Sequence, residues 1–168
     1  MVLVIRPARM SAEVDAARRL FMAYAESLDF DLCFQDFDAE MARFPGEYVP
    51  PDGDVLLAWN GTEAVGVVAL RRYSATAAEM KRLYLGPGAR GLGAGRRLAG
   101  QVVVAARGLG YRSLRLDTVA SMTAAIHLYE TMGFRRVSGP DDQAGTGAGI
   151  GADAVSASPE LLYFELDL

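Results

Sequence analysis

Asn60-Gly61, set between apolar runs at 55–59 and 64–70, limits the fold more than any other feature of the chain. The pair supplies the positive φ angles that a two-residue hairpin turn demands, so two antiparallel strands are expected near the middle of the sequence. A third strand is predicted over 78–85, after a polar loop around Ser74 to Thr76, and it ends where Gly86-Pro87-Gly88 breaks the pattern. Around these strands the pattern predicts a strand over 2–6 stopped by Pro7. A helix over 11–27 should follow, with Ser11 as N-cap and Val14, Leu20, Phe21 and Tyr24 roughly on one face. Later come a strand over 111–118, a helix capped by Ser121 with Ala125, Leu128 and Tyr129 toward one side, and, after Gly133, strands over 134–137 and 161–166.

Strands and helices thus mix along one chain, an α/β arrangement. With 168 residues, 51% of them hydrophobic, the chain suffices for one well-buried core and is too short for two comfortable domains, so a single domain over 1–168 is expected. The formal net charge of −4 argues against non-specific nucleic-acid binding, which needs a basic face to displace counterions. A single cysteine, Cys33, and a single histidine, His127, exclude a disulfide framework and zinc or multi-histidine metal sites. No metal is expected, and a reducing cytoplasm is the natural setting. The apolar start is too short for a signal peptide and no later run is long enough to span a bilayer, so a soluble protein without a membrane partner is expected.

Two segments are less regular. From Asp29 to Glu40, acidic residues alternate with Phe30, Phe34 and Phe37, which suggests a short helix or loop with an acidic rim over aromatic anchors. The stretch 139–158, rich in Gly, Ala, Ser and Asp, buries little apolar surface and is expected to be a mobile loop or lid.

Chemistry concentrates in Arg90-Gly91-Leu92-Gly93-Ala94-Gly95, which follows the apolar Leu83-Tyr84-Leu85 and opens a helix predicted from Arg96 to Arg107. Glycines let the backbone approach a ligand, and the first N–H groups of a helix lack partners, so a pyrophosphate would sit well there. A nucleotide P-loop needs Gly-Lys followed by a hydroxyl residue, whereas this turn closes Gly95-Arg96-Arg97. The glycine spacing and the position deep in the chain also fit a dinucleotide fingerprint poorly.

Three segments, Glu79-Met80-Lys81-Arg82-Leu83-Tyr84-Leu85, the glycine turn, and Leu128-Tyr129-Glu130-Thr131-Met132-Gly133-Phe134, together resemble the GNAT family of acyl-CoA N-acyltransferases. The turn is similar to the family's coenzyme signature and the last segment to its Leu-Tyr-x-x-x-Gly-Phe signature. The resemblance implies a central, mostly antiparallel sheet splayed into a V between the strand ending at Leu85 and the strand from Tyr111, with helices on both faces. Acetyl-CoA, as co-substrate, would lodge in the gap. Its pantetheine arm would meet the backbone at Leu83, Tyr84 and Leu85, and its pyrophosphate the N–H groups of Gly91, Leu92, Gly93, Ala94, Gly95 and Arg96. Arg90, Arg96 or Arg97 would add charge. The reaction implied is direct acetyl transfer to a primary amine of a small molecule or peptide, with a homodimer among the assemblies left open. A non-catalytic acyl-CoA-binding or regulatory module of the same fold is the rival.

Such a transfer needs a neutral amine. An ammonium with a pKa of about 10.4 is deprotonated roughly one part in 2,500 at pH 7, a handicap of about 4.6 kcal/mol that a base or a pKa-lowering site must offset. By resemblance Glu79 is the candidate base. A structural pairing of Glu79 with Lys81 or Arg82, and a relay through water, are the alternatives. Collapse of the intermediate expels a thiolate, and by resemblance Tyr129 is the phenol that hands it a proton or hydrogen-bonds to the sulfur. Met122 stands where the family often has a coenzyme-contacting asparagine, and Ser121 either replaces that contact or caps the helix. A Cys33–His127 nucleophilic dyad has nothing in the sequence to bring it together.

Overall fold

The computed structural model describes residues 2–29, 36–139 and 160–168. Its elements run β1 (Leu3–Pro7), α1 (Ser11–Ser27), α2 (Phe37–Arg43), β2 (Asp54–Asn60), β3 (Glu63–Arg72), β4 (Ala77–Leu85), α3 (Ala94–Gly108), β5 (Ser113–Val119), α4 (Thr123–Thr131), β6 (Arg135–Val137) and β7 (Leu161–Asp167). The central hairpin forms as expected, but its two turn residues are Gly61, at φ +61°, and Thr62; Asn60 ends β2 opposite Glu63 and is not at positive φ, so the turn is shifted one residue from the expected Asn60-Gly61. Cys33 and the proposed lid beyond Gly139 lie outside the described residues.

All seven strands form one sheet in the order β1-β2-β3-β4-β5-β7-β6. Apolar residues line both faces of its middle. Val55, Leu57, Val67 and Ala69 pack under α1 and α2 with Phe21, Phe37 and Phe44, while Leu56, Ala58, Val68 and Leu70 pack under α3 with Leu98 and Val102. Burial on two sides explains why these strands read as apolar runs instead of alternating. At Gly66 a Cβ would stand 2.8 Å from Leu85 Cδ2 and 3.1 Å from Leu98 Cδ1, so β3 meets α3 closely where a side chain is missing.

Helix starts differ from expectation. α1 has Met10, not Ser11, at the N-cap position, and the Glu13 carboxylate accepts the N–H groups of Arg9 (2.8 Å) and Met10 (3.1 Å). α4 has Met122, not Ser121, at its N-cap position, because the Met122 N–H turns back to the Val119 carbonyl (3.0 Å). α3 begins at Ala94, two residues ahead of Arg96.

The sheet is antiparallel except where β4 meets β5, and that parallel ladder holds only Ala77↔Ser113, Ala78↔Leu114 and Glu79↔Arg115. A β-bulge in β4 lies just past this point. Three steps of β4, from Lys81 to Tyr84, lie against two steps of β3, from Ala69 to Val67, and Arg82 sits at φ +56°. The bulge shifts the phase of the strand. Ala78 and Met80 belong to the α3-side core, and after Arg82 it is Leu83 and Leu85 that pack there. Bulges bend a strand and raise its twist, so β4 swings away from β5 and the sheet opens into the expected V.

A left-handed conformation at a side-chain-bearing residue costs on the order of 1–3 kcal/mol and persists when its surroundings hold it. Here the Arg82 guanidinium, with its side chain 3% exposed, is ion-paired with Glu40 of α2 and stacks 5.0 Å from the Phe37 ring centroid. Burial pushes the Glu40 carboxyl up, but hydrogen bonds from Arg82 and Tyr48 outweigh it and hold Glu40 below the usual carboxylate range. Thus Glu40, expected on an acidic rim, is turned inward. Its contribution to stability is complete above the unfolded carboxyl pKa and disappears as pH falls through the lower folded value. We expect Glu40→Ala to cost about 3 kcal/mol in urea unfolding at pH 7, since it strips a counter-ion from a buried charge, and Glu47→Ala, at an exposed carboxylate, less than about 1 kcal/mol. Repeating the Glu40→Ala comparison through the acid range should show the gap closing.

Candidate functional site

Where β4 and β5 part, a cleft of about 530 Å³ opens. Its walls are Met80, Arg82, Leu83, Tyr84 and Leu85 on β4, Leu116, Asp117 and Thr118 on β5, Tyr24 on α1, and Leu128 and Tyr129 on α4. Parting two strands leaves peptide groups without a ladder partner. The Gly86 N–H donates to Val65 on the β3 side (2.8 Å), so by alternation the Leu83 and Leu85 peptide groups face the cleft. Arg90 Nε already donates to the Leu85 carbonyl (3.0 Å), with its guanidinium 5.7 Å from the Tyr84 ring centroid.

The glycine turn rims this cleft through Arg90 and Gly95. Gly91 at φ +78° and Gly93 at φ +72° curl the chain so that Gly93 becomes the N-cap of α3 without a side-chain cap. The first ladder bond of the helix runs from the Arg97 N–H to the Gly93 carbonyl (3.1 Å), which leaves the N–H groups of Ala94, Gly95 and Arg96 outside the helical ladder at the positive end of the macrodipole. A Cβ at Gly91 or Gly93 would meet nothing within 4 Å, so the positive φ angles, not crowding, call for glycine there. Leu92 is exposed at the tip.

The three arginines differ. Arg90 stands at the cleft, and Arg96 Nη1 donates to Thr131 Oγ1 (3.1 Å), linking α3 to α4 beside it. Arg97 turns away, its Nη2 donating to the Leu3 carbonyl (2.8 Å), so it does not add charge at the turn.

Tyr129 is 6% exposed, edge-on to Phe134 (5.7 Å), and lines the cleft. Burial, with added repulsion from Tyr24 and Asp117, pushes its phenol well above the ordinary tyrosine range. It is therefore an O–H donor throughout the physiological range. Met122 and Ser121 also line the cleft, and Met122 Sδ accepts from Thr118 Oγ1 (3.6 Å), so a thioether occupies the expected amide position.

Glu79 stands at the last rung of the β4–β5 ladder. Its carboxylate, 8% exposed as a residue, accepts from Arg71 Nη2 (2.9 Å) and Nε (3.2 Å) and lies 3.4 Å from Lys81 Nζ. It is not among the described residues that line the cleft beside Tyr129. Asp117, Arg82 and Tyr24 do line it; the sequence patterns mark Tyr24 only as part of an apolar helix face and Arg82 only as a possible partner of Glu79, and they do not mark Asp117. Asp117 and Arg82 flank the split. His127 is exposed on α4. Among the described residues no group of three or more metal-ligating side chains gathers, and no helix is long and apolar enough to cross a membrane.

Residues 14–134 match the Acetyltransferase (GNAT) family. An uncharacterized N-acetyltransferase of Schizosaccharomyces pombe is 35% identical over 134 residues, covering 78% of this chain and 82% of the relative. Among solved structures, an acetyltransferase from Streptococcus agalactiae superposes with a TM-score of 0.74 at 20% identity, covering 99% of this chain and 98% of that one. A Bacillus subtilis acetyltransferase in complex with CoA gives a TM-score of 0.69 at 20% identity over 99% of each chain. These two structures share the splayed acyl-CoA N-acyltransferase fold with this chain.

The buried phenol can be checked by spectrophotometric titration. Tyrosinate absorbance appearing below about pH 11 should be the same in the parent and in Tyr129→Phe, because burial keeps Tyr129 protonated through that range.

Proposed function

The chain belongs to the Acetyltransferase (GNAT) family, and from that premise we propose that it carries an acetyl group from acetyl-CoA to a primary amine of a small molecule or peptide by direct attack in a ternary complex. The observation that carries this reading is the continuity of one cleft: it runs from the bare start of α3, past the open edge of Leu83 and Leu85, to the buried phenol of Tyr129.

Each part has a task in the transfer. The pyrophosphate takes hydrogen bonds from the first N–H groups of α3, with Arg90 and Arg96 as nearby cations. The pantetheine amides complete the ladder that β4 lost when β5 diverged, which satisfies buried peptide groups on both partners. The thioester then reaches the narrow end of the V, near Leu116 and Tyr129. A backbone N–H near Leu85 or farther along β4 can stabilise the oxyanion. The Tyr129 phenol is held protonated and is a weak acid, so it hydrogen-bonds to the departing thiolate, whose conjugate acid has a pKa of about 8.5, and passes its proton on only as another proton returns to it. Glu79, whose carboxylate is engaged by Arg71 and lies behind Lys81, enters this reading as a charge that acts on the acceptor through Lys81. A reducing cytoplasm is the setting we propose.

Thiol release from acetyl-CoA in the presence of an amine panel tests the reading directly; coenzyme binding without release across the panel would favour a non-catalytic module. Tyr129→Phe should lower kcat by about 10²-fold while leaving coenzyme affinity within about twofold, and an unchanged kcat would remove Tyr129 as the acid. Gly93→Val puts a β-branched side chain at φ +72°. It should cost about 1–2 kcal/mol of stability and weaken coenzyme binding more than tenfold in calorimetric titration.

A further inference from the structure

Past Glu79↔Arg115 the β4–β5 ladder stops, and continuing its register by two residues sets Lys81 across the opening from Asp117. The side chains meet there: Lys81 Nζ lies 3.7 Å from Asp117 Oδ2 and 3.4 Å from Glu79 Oε1. Glu79, Lys81 and Asp117 thus form a row from the closed end of the V into its mouth. Asp117 is the carboxylate of that row that lines the cleft, beside Tyr24, Arg82 and Tyr129. Its charge is felt by both phenols, since it adds to the burial that raises Tyr24 and Tyr129.

Resting on the acetyl-transfer reading, we propose that Asp117 receives the acceptor's ammonium group and takes its proton, with Lys81 and Glu79 as positioning residues behind it. The location follows from the ladder. A coenzyme arm that pairs with Leu83 and Leu85 ends its thioester where β4 and β5 converge, next to the first side chains past the last rung. Of these, Met80 and Leu116 belong to the α3-side core, whereas Lys81 and Asp117 lie on the opposite face. An amine entering from the α1 face therefore meets Asp117 first. The ammonium nitrogen gives one proton to an Asp117 carboxylate oxygen, and the freed lone pair attacks the thioester carbon. As the C–N bond forms and the C–S bond breaks, Tyr129 passes its O–H proton to sulfur, and the second nitrogen proton returns to the phenolate. Asp117 loses its proton to solvent on product release.

The charged and titratable groups around Asp117 are Lys81, Arg82 and Glu79 from β4, Tyr24 from α1, Tyr129 from α4, and Tyr163, its register partner on β7.

The experiment follows thiol release from acetyl-CoA between about pH 6 and 10 with glycine, putrescine, phenylethylamine and the weakly basic aminoacetonitrile. Asp117→Asn should lower kcat at pH 7 about 100-fold for the basic amines and move the rising limb of kcat/KM up to the acceptor's own pKa. The loss should shrink below about tenfold for aminoacetonitrile, which is already neutral, and coenzyme affinity should be unchanged. Glu79→Gln should keep the parental limb with less than about a tenfold loss. If Asp117→Asn does not fold, Asp117→Glu carries the test: it should keep the limb and lower kcat, because its oxygens are displaced by one methylene. A parental rate and profile in either Asp117 variant, or the shifted limb in Glu79→Gln alone, overturns the assignment while leaving acetyl transfer intact. A parent that releases no thiol with any amine overturns acetyl transfer itself, and the role of Asp117 with it.

Discussion

The ion pair between Arg82 and Glu40 is the contact on which the functional architecture depends. It holds a non-glycine residue in the left-handed region within β4, and that bulge turns the strand from β5 after three rungs of pairing. A regular β4 would continue the ladder, close the cleft and return Leu83 to the other face. The partner carboxylate comes from α2, so a short helix far from the cleft mouth in sequence determines whether the sheet opens. Removing either charge would strand the other in a nearly dry site, a larger penalty than the net worth of the pair.

Once the sheet is open, its opposing requirements are met by one shape. Peptide groups on the parted edge need hydrogen-bond partners, and the start of α3 offers donors that no side chain caps. Both are complementary to a ligand that carries amides at one end and a diphosphate at the other. The narrow end of the V adds a different chemistry: an apolar face made by Met80 and Leu116, and a charged face made by Glu79, Lys81 and Asp117. Donor and acceptor can therefore approach from opposite sides of the sheet, and the acid and the base proposed for the two proton transfers are on different elements.

Much of this was legible from local sequence. Gly61 marked the hairpin, one residue later than the Asn60-Gly61 pattern placed its turn, and Gly91 and Gly93 marked the glycine turn, because positive φ angles select glycine and so leave a mark on composition. Leu128-Tyr129 was found through resemblance. Helix starts were misread because Glu13 and the Val119 carbonyl, not a hydroxyl at Ser11 or Ser121, engage the backbone there. The bulge at Arg82 left no mark, since arginine is not a residue that usually adopts such a conformation and its partner Glu40 is 42 residues away. Asp117 was missed for the same reason: only the register between β4 and β5 reveals that it faces Lys81. The place of β7 between β5 and β6 is likewise a long-range fact, invisible to periodicity.

The apolar character of β2 and β3 on both faces has one more consequence. In a sheet with one wet face, slipping a strand by a single residue is punished by exposing its hydrophobic side chains, but here a slipped strand would still bury every one of them. Alignment must then be enforced by shape. The missing side chain at Gly66, fitted against Leu85 and Leu98, acts as a notch that accepts its neighbours in one setting alone, and the tight turn at Gly61-Thr62 fixes the count from the other end. Two small residues in the hairpin thus index the whole platform on which the fork is built.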